Sequence, residues 1–262
     1  MTAARGHAPG AGAERGQGAV ERPRPVPTPG APEREAVRSM FDRIAPRYDL
    51  ANRVLSVGVD RSWRRACVAS LSLPKGARVL DLCTGTADLL LEALSPEPTR
   101  RGTGVDLSPG MLRLGASKLS ARGMAARAAL AAGDACTLPL ADASFDAALA
   151  AFGIRNVDDL PRALRELSRV LRPGAPLRIL EFTEPRGALG WASRWYLRHV
   201  LPRVGGLVSG DRGAYAYLPA SVARFPRPPA FAALLVEAGF RGVRWRTLTL
   251  GVACLYEGER AA

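Results

Sequence analysis

Between Arg78 and Leu89 an apolar run ends in an aspartate, turns through small residues and enters a helix-forming segment: Arg78-Val79-Leu80-Asp81-Leu82-Cys83-Thr84-Gly85-Thr86-Ala87-Asp88-Leu89. Strand, tight turn and helix start, in that order, build a nucleotide-type cofactor site. The turn and the helix N-terminus present backbone N–H groups to a ligand. The dinucleotide pattern G-x-G-x-x-G is absent, and no Gly-Lys-Ser/Thr follows to make a P-loop. What remains is D-x-x-x-G-T-x-D, the shape of a turn that cups S-adenosylmethionine. Taken alone, the segment also reads as a tight turn with no ligand.

The alternation continues along the chain. Apolar runs predict strands at 77–82, 102–106, 145–151 and 176–182, with a weak strand within 126–132. Helical spacing predicts helices at 87–94, at 109–122 with proline in the first position, and at 158–171. Repeated β-α units imply right-handed crossovers and a mostly parallel sheet covered on both faces. Upstream, Val37, Met40, Phe41 and Ile44 recur at helical spacing. Pro46 predicts the end of that helix and a loop over 47–52, and a second helix is expected over 60–71 with Asp60 as its N-cap. The region 183–227 breaks the rhythm with a helix-like stretch at 191–204 and a Gly-rich loop. A helix at 229–238 and two strands at 243–248 and 251–256 follow, close enough for an antiparallel terminal hairpin.

Acidic residues recur at the strand ends. Gly85 lets backbone approach a ligand, Thr86 can hydrogen-bond to it, and Asp81 is placed to meet a ligand ammonium group. Asp106 closes the second strand about 20 residues after the glycine turn, where an acid meets ribose hydroxyls. It also reads as a helix cap, but Ser108 already suits that role before Pro109. Asp134-Ala135 follows the third strand, where a carboxylate can accept from an adenine amino group. Asp142 and Asp146 precede the fourth. Together these positions point to an adenosine-type ligand in one cleft.

Composition sets limits. The chain of 262 residues is 47% hydrophobic, enough for a sizeable core, and has no apolar run near 20 residues to span a membrane. Its formal charge is +13, carried almost wholly by arginine because Lys75 and Lys118 are the only lysines. The arginines are spread out, which fits a GC-rich coding bias better than a nucleic-acid patch, yet the charge favours anionic partners. Cys67, Cys83, Cys136 and Cys254 form no C-x-x-C pair, and the histidines are only His7 and His199, so neither a zinc site nor a His-based metal site is expected. Residues 1–32 are an Ala/Gly/Pro/Arg-rich leader expected to be disordered. No secretory signal is apparent, and a cytoplasmic protein is the expectation.

Several segments resemble a known family. Met40-Phe41-Asp42-Arg43-Ile44-Ala45-Pro46-Arg47-Tyr48-Asp49, Trp63-Arg64-Arg65, Phe152-Gly153-Ile154-Arg155-Asn156-Val157, Leu171-Arg172-Pro173-Gly174, His199 to Gly205 and Tyr217-Leu218-Pro219-Ala220-Ser221 are similar to signatures of the ubiquinone/menaquinone biosynthesis C-methyltransferases. The resemblance covers about residues 35–258. It implies a class I SAM-dependent methyltransferase domain over 33–258: a Rossmann-like α/β fold with a mostly parallel seven-stranded sheet. It also implies a helical lid over 33–73 and a substrate-side insertion over 183–227. By the same resemblance, cofactor contacts fall on Thr86, Asp106, Asp134 and Ala135. Ala87 stands where a glycine is frequent in the family, Ala151 where some members have serine, and Asp134 where Asn is common.

The implied reaction transfers methyl from S-adenosylmethionine to a ring carbon of a reduced polyprenylated quinol, foremost demethylmenaquinol. The benzoquinol of ubiquinone synthesis is the alternative. Under this reading Arg155 places positive charge near the quinol oxygen, Asn156 orients the ring, and Tyr48 and Asp49 close over the cofactor. His199 is a candidate base. A solvated loop arginine and a packed or surface histidine are the plain alternatives for Arg155 and His199. The 191–204 helix, with Trp191 and Trp195 among arginines, reads as core packing, a prenyl-tail channel or a surface for anionic lipid. An RNA methyltransferase and a non-catalytic SAM-binding protein are the competing classes. No aromatic–basic RNA motif supports the first, and methyl transfer to quinols separates out the second.

Overall fold

The alternation of strand and helix builds one mixed sheet. The structure is a computed structural model that describes residues 33–56, 58–185 and 212–262. The leader, the expected 191–204 helix and His199 lie outside the described residues. Strands β1 (Arg78–Leu82), β2 (Arg101–Asp106), β3 (Ala128–Ala132), β4 (Ala147–Ala151), β5 (Pro176–Phe182), β6 (Phe240–Leu248) and β7 (Ala253–Arg260) run in the order β3-β2-β1-β4-β5-β7-β6. β1 to β5 are mutually parallel, and β7 is antiparallel to both neighbours, so the terminal hairpin enters the sheet through its second strand.

Side-chain alternation sorts the core onto two faces. Leu80, Leu82, Ala148, Ala150, Leu177, Ile179, Cys254 and Tyr256 point one way, toward α5 (Leu160–Val170) and α7 (Pro228–Glu237). Val79, Ala147, Leu149, Leu180, Ala253 and Leu255 point the other way, toward α2 (Val59–Ala69) and α3 (Asp88–Leu94). β4 is Ala-Ala-Leu-Ala-Ala and buried for four of its five residues. Burial between two helical layers overrides alanine's low strand propensity.

The first helix departs from expectation. α1 spans Arg34–Leu55 and continues through Pro46 and the expected loop over 47–52. Met40, Ile44 and Ala45 before the proline and Tyr48 after it pack on the same cluster around Met111 of α4 (Pro109–Ala121), so burial on both sides outweighs the backbone hydrogen bond that proline removes. α2 begins at Val59 after Gly58, not at an Asp60 cap; the Asp60 carboxylate instead accepts from Ser56 Oγ at 2.7 Å and from Arg64. The remaining helix, α6, covers Arg212–Arg224 inside the region read as a Gly-rich loop. The strand order reverses at β1, leaving a crevice beyond the carboxyl ends of β1, β2 and β4.

Candidate active site

A cleft open to solvent fills that crevice. Its floor is Leu82, Cys83 and Gly85 after β1, Asp106 and Leu107 after β2, and Gly133, Asp134 and Ala135 after β3. Phe152, Gly153 and Asn156 after β4 form a second side, and Arg34, Val37, Phe41 and Tyr48 of α1 form the facing wall. A concave, mostly apolar lining with convergent acids matches a small-molecule site.

The glycine turn is wound tightly. Cys83, Gly85 and Ala87 all take left-handed backbone, with φ of 55°, 54° and 64°. Ala87 carries its Cβ in left-handed backbone, a strain that a glycine at this position would not meet. Opposite the turn, Gly153 has no room for a side chain, because a Cβ there would lie 2.2 Å from Cys83 Cβ. The small residue lets the turns after β1 and β4 meet at the cavity floor.

The expected acids separate into two groups. Asp106 lines the cavity and ties the turn together, accepting from Gly85 N at 2.8 Å and from Ser108 N at 2.9 Å. Burial pushes its carboxyl above the ordinary value. Asp134 and Ala135 line the cavity too. Asp134 accepts from Cys136 N at 2.9 Å and is ion-paired at 2.7 Å to Arg34, which also reaches Asp158 at 2.8 Å. Asp81 does not reach the cavity wall. It is 1% exposed, one oxygen accepts from Thr84 Oγ1 at 2.6 Å, the other has no partner, and burial pushes the carboxyl up to about 7. Asp142 and Asp146 precede β4 and so sit at the opposite end of the sheet, paired with Arg169 and Arg172. They are corrections to the sequence reading.

Thr86 and Asp49 also face away from the cavity. Thr86 Oγ1 donates to Asp49 at 2.7 Å and accepts from Lys118 Nζ at 2.8 Å, and Lys118 bridges Asp49 and Asp88 at 2.6 and 2.5 Å. Of the expected closing pair, only Tyr48 lines the cavity.

Arg155 is placed differently from its expected role. Its side chain is 6% exposed and pairs at 3.0 Å with Glu181, which is fully buried. The guanidinium also donates to Phe152 O and to Ser221 Oγ, and it stacks over Phe182 with 5.4 Å to the ring centroid. A cation so paired and enclosed presents no free charge to a ligand; it fixes the turn at Ile154–Asn156 against β5 and α6. Asn156 does line the cavity, and its Oδ1 accepts from Tyr217 at 3.1 Å.

The sequence reading missed Arg34, Asp158, Glu181 and the role of Tyr217. Arg34 and Asp158 are 124 positions apart, so no local pattern links them. Glu181 left a trace, as an acid inside the apolar run Leu177 to Phe182. Asp134, Cys136 and Asp158 lie close enough together to suggest a metal site, but the Arg34 guanidinium already sits on both carboxylates. The thiols are inert: burial pushes Cys67 up to about 12 and Cys254 to about 11, and raises Cys83 and Cys136 as well.

Solved structures share the fold. A [4+2]-cyclase, SpnF, matches with a TM-score of 0.69 at 19% identity over 88% of this chain and 98% of its own. A SAM-dependent methyltransferase from Thermotoga maritima matches at 0.59 and 20% identity over 85% and 99%. At such identities they establish the architecture, that of class I SAM-dependent methyltransferases, and not the reaction. Sequence relatives go further. A demethylmenaquinone methyltransferase of Deinococcus radiodurans is 48% identical over 86% of this chain and 93% of its own length. The enzyme of the same name from Thermus thermophilus is 49% identical over 84% and 100%. A ubiquinone/menaquinone biosynthesis C-methyltransferase of Syntrophotalea carbinolica is 50% identical over 86% and 94%. The model of one family matches residues 30–260, and with these relatives it shows that the chain belongs to the ubiE/COQ5 methyltransferase family.

Proposed function

We propose that this chain transfers a methyl group from S-adenosylmethionine to a ring carbon of a polyprenylated demethylmenaquinol. The observation that carries the reading is the near-full-length likeness to two demethylmenaquinone methyltransferases at 48% and 49% identity. The cavity supports it. Asp106 and Asp134 place acidic side chains on its wall, which suits a ligand that carries positive charge and hydroxyl or amino donors. Bound there, S-adenosylmethionine supplies an electrophilic methyl on a sulfonium centre. Asp106 would accept from the ribose hydroxyls, Asp134 and Ala135 would meet the adenine edge, and the backbone at Cys83 and Gly85 would flank the amino-acid end. Val37, Phe41, Leu107 and Met111 supply apolar walls.

Ring carbon is a weak nucleophile until a neighbouring hydroxyl loses its proton and pushes electron density into the ring. The protein therefore has to align the acceptor and stabilise the developing phenolate. Asn156 and Tyr48 are the polar groups of the cavity wall suited to that end. α1 acts as the lid: Arg34 fastens its start to Asp134 and Asp158, and Asp49 fastens its later part to Lys118. Among the described residues no helix is long and apolar enough to cross a membrane. The acceptor's polyprenyl tail and the +13 charge favour work at an anionic membrane surface.

The likeness to a relative named for both quinones, at 50% identity, favours a second reading in which the acceptor is the methoxybenzoquinol. Competition decides between them. With both reduced short-chain quinols present at equal concentration, the naphthoquinol is methylated in excess. Preference for the benzoquinol reverses the assignment, and methylation of neither removes the quinol reading.

A further inference from the structure

Asn156 ends the single turn that follows β4, and it is one of the residues that line the cavity. Tyr217, in the first half of α6, donates its hydroxyl to Asn156 Oδ1 at 3.1 Å. Which end of an amide faces a ligand depends on which end its partner holds, and here Tyr217 holds the oxygen. Arg224, two turns further along α6, lies over the Tyr217 ring at 5.6 Å from its centroid. The phenol proton goes to the amide oxygen, the acceptor within hydrogen-bond distance of the hydroxyl. Burial also pushes the phenol above its ordinary value, so Tyr217 remains a donor at working pH. One turn after Tyr217, Ser221 Oγ accepts from Arg155 Nε at 3.3 Å. Successive residues of the turn, Arg155 and Asn156, are thus gripped by two residues on one face of α6.

We infer that Tyr217 is a positioning residue: by holding Asn156 Oδ1 it turns the amide N–H groups toward the oxygen of the acceptor ring, where they favour a phenolate over a neutral hydroxyl. This rests on the reading of the cavity as a quinol methyltransferase site. A donor fixed in advance strengthens its hydrogen bond as negative charge grows on the acceptor, and so acts on the transition state more than on ground-state binding. Ring contacts of Tyr217 with the cluster of Met40, Ile44 and Met111 do not need the hydroxyl, so Tyr217→Phe keeps the packing.

The test is a double-mutant cycle on Tyr217→Phe and Asn156→Ala, using S-adenosylmethionine and a reduced short-chain demethylmenaquinol. Tyr217→Phe is expected to lower kcat roughly tenfold and to leave the Kd for S-adenosylmethionine within about twofold. Asn156→Ala is expected to lower kcat roughly 100-fold, and the double variant to match Asn156→Ala alone. Asn156→Asp still accepts from Tyr217 but offers no N–H group, and should be as slow as Asn156→Ala. Wild-type kcat in Tyr217→Phe, multiplying effects in the double variant, or an active Asn156→Asp each overturn the role. A wild-type enzyme that methylates no quinol overturns the functional reading and the positioning role with it, which is a different result from an active wild type beside an unimpaired Tyr217→Phe.

Discussion

Asp81 carries a carboxyl buried at the end of β1. Its carboxyl is held up at about 7 by burial, with one oxygen unpartnered. A carboxyl raised in the fold above its unfolded value stabilises the fold at low pH, and that stability is lost as pH rises from about 4 to 7. Asp81→Asn does not titrate. Urea unfolding between pH 5 and 8 should show the variant gaining on wild type by on the order of 2 kcal/mol up to pH 7, then no further. A constant difference across that range would refute the raised carboxyl. Legibility at this scale followed distance along the chain. Asp106, Gly85, Asp134 and Ala135 were readable as cavity-lining residues because they stand at or just after the ends of β1, β2 and β3. The pairing of Arg155 was not readable because Glu181, its partner, lies 26 positions away on another strand.

At the scale of elements, α1 separates local from tertiary information. Proline signalled a stop, and a helix that packs on α4 both before and after Pro46 ignored it. The same helix supplies a cavity wall whose ties are all long-range: Arg34 to Asp134 and Asp158, Asp42 to Ser108 Oγ and Gly110 N at 2.6 and 2.7 Å, and Asp49 to Lys118. The strands were found within a few residues because their apolar runs are continuous, whereas α6 was hidden by the glycines around it. If α1 closes the site, Arg34→Ala should speed release of S-adenosylmethionine roughly 3- to 10-fold, the scale of one partly exposed ion-pair network, with the association rate little changed. Stopped-flow binding reads both rates. Slower release from the variant would mean that Arg34 competes for Asp134 instead of fastening the wall.

Across the whole molecule the architecture is shared with a cyclase, so the fold alone does not name a reaction. The mostly parallel sheet was implied by β-α alternation and its antiparallel end by two closely spaced final strands, whereas the strand order that places a crevice at β1 came from the structure. The acceptor was not legible from the alternation at all. It comes from family signatures that gather beside Asn156, on the turn after β4, on α1 and on α6. The claim that joins these levels is transfer of methyl to carbon. Incubation with S-adenosylmethionine bearing a deuterated methyl and reduced short-chain demethylmenaquinol, followed by mass-spectrometric fragmentation, tests it most directly. The account predicts one labelled methyl on the quinol ring carbon. Label on a quinol oxygen, or no labelled quinol at all, would contradict it.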